Sequence, residues 1–63
     1  MKTLIIFDST GMESARFEIP TFYVKCGLDY AFILWKYGKL HKKYPTTYDS
    51  WDVITEINNA ANN

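Results

Sequence analysis

The 63-residue chain has little of what chemistry usually requires. Its single cysteine, Cys26, excludes an intramolecular disulfide framework. Its single histidine, His41, leaves any zinc site dependent on carboxylates, and no ligand spacing suggests one. The three glycines stand apart, so there is no phosphate-cradling loop. No apolar run approaches the roughly 20 residues of a membrane span. Lys2 precedes only a short apolar stretch, Leu4 to Phe7, so a secretory leader is not expected and the chain reads as cytoplasmic. Seven basic and seven acidic residues give zero formal charge. That balance removes the general electrostatic case for nucleic acid or an anionic membrane, and leaves little repulsion against self-association.

What is present is apolar and aromatic. The 48% hydrophobic and 17% aromatic content argues against disorder and for one folded domain over residues 1–57. The segment 58–63 has nothing to bury and is expected to fray. A domain of this size buries only about 60% of its unfolded surface. Its core rarely supplies more than about 3–5 kcal/mol, so association with a partner or a homodimer is expected to help.

Lys2 to Asp8 reads as a strand, stopped by a hairpin loop over Ser9 to Ser14 in which Gly11 can take positive φ. Ala15, Phe17 and Ile19 alternate with Ser14, Arg16 and Glu18 in a second strand, which Pro20 is expected to place at a sheet edge or to bend there. Extended character is expected again over Thr21 to Lys25. Cys26 is expected to be a half-buried small hydrophobe. A helix follows from near Leu28 and stops before Pro45. Trp51 to Ile57 reads as a closing strand, with Trp51, Val53, Thr55 and Ile57 alternating; the alternative is a helix capped by Asp49. The expected architecture is ββαβ, a three-stranded antiparallel or mixed sheet of order 2-1-3 with one helix on one face. The alternative closing element would make it ββαα.

The helix carries two apolar stripes. Leu28, Ala31, Phe32 and Trp35 follow helical spacing on one side, and Tyr30, Ile33, Tyr37, Leu40 and Tyr44 lie roughly opposite. The first stripe is expected on the sheet and the second toward a protein partner, with Lys36 and Lys43 on its rim. The sheet face without a helix would be a second apolar surface. Lys36, Lys39, Lys42 and Lys43, beside Tyr37 and Tyr44, also suit the alternative of nucleic-acid binding. The carboxylates Asp8, Glu13, Glu18, Asp29, Asp49, Asp52 and Glu56 scatter over loops and outward strand positions, and a chain this short has little room for a cleft. No catalytic residue, metal ligand or cofactor is expected.

The string Arg16-Phe17-Glu18-Ile19-Pro20, followed by Leu28-Asp29-x-Ala31 and Trp35-x-Tyr37, resembles small early proteins of tailed phages. It is similar in particular to the podovirus inhibitors of host RNA polymerase. The likeness spans Lys2 to Ile57 in layout and implies a non-enzymatic protein that binds and inhibits or redirects a host protein. That family relies on arginines in its closing strand, where this chain reads Asp52-Val53-Ile54-Thr55-Glu56. No functional residue of the family therefore carries over by position. The wider layout also resembles antitoxin-like antagonists of host defence.

Overall fold

Four consecutive apolar residues, Leu4-Ile5-Ile6-Phe7, belong where a strand is flanked on both sides, and the chain uses them so. The computed structural model describes residues 1–56. Its elements are β1 (Lys2–Phe7), β2 (Glu13–Glu18), α1 (Thr21–Lys25), α2 (Asp29–Lys43) and β3 (Ser50–Thr55). The sheet has the order β2-β1-β3, and β1 is antiparallel to both neighbours. This is the expected α+β architecture, and the closing element is a strand rather than a second long helix. Ile57, expected to end that strand, and the expected tail over 58–63 lie outside the described residues.

The β1–β2 hairpin is shaped by Asp8. Its carboxylate accepts hydrogen bonds from the N–H and hydroxyl of Thr10 and from the N–H of Met12, and Gly11 takes φ +87°. Only a residue without Cβ adopts that left-handed backbone easily. The ladder register shifts between Ile6 and Phe7, so two β2 residues oppose one on β1 there.

Leu4 pairs with Phe17 and Val53, and Ile6 with Ala15 and Trp51, which directs these six side chains to one face. Leu4, Ile6 and Ile19 are fully buried there and pack with Phe32 and Ile33 of α2. At the far end the turn after α2 is tied to the sheet. Ser9 N–H donates to Thr46 O at 2.9 Å, and Asp49 N–H to Phe7 O at 2.7 Å.

Two expectations are corrected. Thr21 to Lys25 is helical, not extended. Pro20, at φ −56° and ψ 140°, stands before the first turn, and its carbonyl accepts from Tyr23 and Val24 N–H. The β-branched and aromatic composition that suggests a strand is overridden because Tyr23 and Val24 pack on the core from a helical turn.

The second correction concerns the facing of α2, which is reversed. Ile33 is 3% exposed, and Tyr37 and Leu40 pack on the core beside it. Of the stripe expected on the sheet, Leu28, Ala31 and Trp35 face outward and only Phe32 is buried. The physical reason lies in the tethers. Asp29 shares the Ile33 side of the helix and pairs with Lys2 Nζ at 3.2 Å, which pulls that side onto β1. Tyr37 Oη donates to Asp49 O at 2.6 Å, and His41 Nδ1 meets Tyr48 O at 2.7 Å. A carbonyl only accepts, so Nδ1 carries the proton. His41 is half-buried and stacked on Tyr37, with ring centroids 5.2 Å apart.

The facing of α2 is measurable. Ile33→Ala should cost about 2–5 kcal/mol in urea unfolding followed by circular dichroism. Leu34→Ala, one residue along on the outward side, should stay within about 0.5 kcal/mol. Equal losses at both positions would contradict the packing described.

Candidate functional site

The outward surface of α2 is set by the joint that precedes it. Gly27 takes φ +71°, its N–H donates to Val24 O at 3.2 Å, and Leu28 N–H donates to Tyr23 O at 2.7 Å. These two bonds form a Schellman motif, which stops α1 and turns the chain into α2. Cys26, expected half-buried, is exposed at this joint.

With α2 rotated by its tethers, about 100° per residue brings Leu28, Ala31, Leu34, Trp35, Gly38 and Lys42 onto one side, and all six are exposed. Trp35 is 56% exposed and Leu34 48%, while Phe22 on neighbouring α1 is 67% exposed. Phe22, Tyr23, Phe32 and Trp35 form a chain of ring contacts with centroids 6.0, 5.4 and 6.0 Å apart. Lys36 Nζ lies 5.0 Å and Lys39 Nζ 5.9 Å from the Trp35 ring centroid. Lys36 Nζ also sits 4.9 Å from the Phe17 ring. A charged amine over an aromatic face is attracted by the ring quadrupole, so these lysines are held beside the indole.

The residues expected to form a partner-facing stripe do not stay together. Ile33 is in the core, and Tyr37 and Leu40 are half-buried against it. Tyr30 is exposed on a flank with its ring 6.3 Å from Trp51, and Tyr44 is exposed at the helix end, where Lys43 Nζ lies 5.5 Å over it. Lys39 and Lys42 are on the outward side, whereas Lys36 is half-buried with its amine over Phe17. Phe22 and Leu34 belong to the exposed face and to neither expected stripe. Reading Gly27 as the end of a one-turn helix would have placed Phe22.

The helix-free face of the sheet is not the apolar surface expected. Register places Thr3, Ile5, Phe7, Glu13, Arg16, Glu18, Ser50, Asp52 and Ile54 there. Thr3 is buried and Ile5 is 6% exposed. Arg16 bonds Glu13 and reaches across β1 to Glu56 Oε1 at 3.1 Å, roofing the centre of this face. The zero net charge is therefore segregated. Glu13, Glu18, Asp52 and Glu56 border the sheet face, whereas Tyr30 to Tyr48 contains Lys36, Lys39, Lys42 and Lys43 and no acid.

A shallow pocket of about 170 Å³ is lined by Met1, Lys2, Ile19, Thr21, Val24 and Thr55. Small-molecule sites usually span about 300–1,000 Å³. Among the described residues no three His, Cys, Asp or Glu side chains gather as metal ligands would, and no helix is long and apolar enough to cross a membrane. Comparison with known proteins returns nothing: no family model, no curated protein and no solved structure matches the chain.

Three carboxylates titrate below their ordinary range, each for a structural reason. The Thr10 hydroxyl, then backbone N–H groups, hold Asp8 below 3.8. The Arg16 guanidinium holds Glu13 below 4.5, and the Lys2 ammonium with local N–H groups holds Asp29 below 3.8. A depressed folded pKa adds stability that is complete above the unfolded value and lost as pH falls through the folded one. The urea midpoint should therefore decline as pH drops below 4.5, the ordinary value of the highest of the three. Asp8→Asn and Glu13→Gln should each flatten that decline. An unchanged acid slope in both variants would show that these contacts do not form.

Proposed function

We propose that the chain is a non-enzymatic docking module that binds a larger protein and inhibits or redirects it. One observation carries this reading. Trp35 stands more than half exposed at the centre of an outward helix face, with exposed Leu28, Leu34 and Phe22 around it. Large apolar side chains gathered on one exposed side, rimmed by charge, mark interaction sites, and buried aromatics dominate interface energetics. The contact set is thus Phe22, Leu28, Leu34 and Trp35, with Lys39 and Lys42 at its border. Tyr30 and Tyr44 extend it at the flanks. Host RNA polymerase is one candidate target, suggested by the resemblance of Arg16 to Pro20 and Trp35 to Tyr37 to phage early inhibitors.

Nucleic acid is the second reading, favoured by the concentration of Lys36, Lys39, Lys42 and Lys43 in a region without acids. It loses one of the two tyrosines expected beside the lysines, since Tyr44 stays exposed and Tyr37 does not. Tyr37 is stacked on His41 with its hydroxyl bound to Asp49.

Co-purification from lysate of the cell of origin tests the first reading. Wild type should retain a defined protein that Leu34→Glu/Trp35→Glu loses, while Glu18→Lys on the opposite face retains it. Both substituted helix positions are exposed, so the double variant should keep its circular dichroism spectrum. Identical captured proteins for wild type and the double variant would remove the face from the contact.

A further inference from the structure

Gly38 has no role inside the fold. It lies in the interior of α2, where glycine is less favourable than alanine. Its backbone needs no positive φ, and a Cβ built on it meets nothing within 4 Å. Packing within the chain therefore gives no reason for its size. It sits on the outward side, one turn from Trp35 and one from Lys42. Leu28, Ala31, Trp35, Gly38 and Lys42 follow one another at spacings of 3, 4, 3 and 4, the seam of a helix that packs along another helix. A bare backbone at Gly38 beside a projecting indole at Trp35 presents a hole next to a knob.

The charge on this seam says which helix fits. Lys42 lies on it and Lys39 beside it, and no acid occurs between Tyr30 and Tyr48. Asp29, the one acid of α2, is bound to Lys2. A second copy laid along the same seam would bring lysines toward lysines, while its own acids sit on the far sheet face. Stacked bases would have to displace the lysines from the indole.

Resting on the docking reading above, we infer that the occupant of this face is an amphipathic helix of acidic character, with apolar residues at heptad spacing and Glu or Asp beside them. It packs along Leu28 to Lys42 with its closest approach at Gly38. The apolar seam supplies the attraction, and the acids meet Lys39 and Lys42 at the rim. Such rim charges act mainly on specificity and association rate.

The experiment uses the whole chain and two synthetic helical peptides with the same leucine heptads, one flanked by Glu and one by Lys, titrated by calorimetry. The Glu peptide should bind at least about tenfold more tightly than the Lys peptide, and the difference should shrink as salt rises from about 0.05 to 0.5 M. Lys39→Glu/Lys42→Glu should reverse the preference. Gly38→Gln should raise the thermal midpoint, because a better helix former enters open space, yet weaken the Glu peptide about tenfold by filling the point of closest approach. A variant more stable than wild type that binds worse separates contact from folding.

Equal binding of both peptides, lost in Gly38→Gln, would overturn the acidic partner while leaving the face as a docking surface. A chain that ignores both peptides but binds oligothymidylate with a steep salt slope would overturn the inference in favour of nucleic acid. A dimer in sedimentation that Gly38→Gln dissociates, without peptide binding, would assign the seam to a second copy.

Discussion

Everything in this fold depends on having one long helix for a strand that is apolar on both sides. Leu4 and Ile6 point one way, Ile5 and Phe7 the other, and a lone β1 could not keep either set dry. The helix side is covered by Phe32 and Ile33 with support from α1. Among the described residues no element covers the other side, which is closed by side chains. Arg16, paired with Ile5, contributes to this, because its stem crosses the face while the guanidinium binds Glu13 and Glu56. Polar groups thus substitute for a second layer.

That substitution explains the separation of charge. Glu13 and Glu56 are held near the helix-free face because Arg16 needs partners there, and Glu18 and Asp52 border the same surface. The lysines gather at the C-terminal half of α2, where the helix dipole favours cations. Each arrangement has a local cause, and together they give a neutral chain two faces of opposite sign. Net charge therefore understates what a charged partner would meet.

The sheet was legible in the sequence because its signals are short and independent. Alternation in Ala15, Phe17 and Ile19, the β-branched density of Val53, Ile54 and Thr55, and Pro20 at an edge each point to one register. Antiparallel pairing around Leu4 to Phe7 then leaves the order 2-1-3. The rotation of α2 was not legible, because both sides of it are apolar and spacing alone cannot rank them. What ranks them are contacts between distant residues: Lys2 with Asp29, Tyr37 with Asp49, His41 with Tyr48. Tyrosines at 37 and 44 read as partner contacts in sequence, yet the Tyr37 hydroxyl is a tether that locks the helix from within. α1 was missed because one turn is too short for a 3.6-residue period to show.

The same tethers bear on why an exposed face persists in so small a domain. Burying the Trp35 indole would require the helix to turn, taking Ile33 and Leu40 off the core. Turning would also break Lys2–Asp29 and strip hydroxyl and imidazole from the carbonyls of Asp49 and Tyr48, leaving those groups without their partners. Polar contacts that individually contribute little thus act with the packing of Ile33 and Leu40 to fix which apolar stripe is buried. The stripe left outside carries the indole, the leucines and a glycine that no internal contact requires. A chain selected for stability alone would have little reason to keep that combination on its surface.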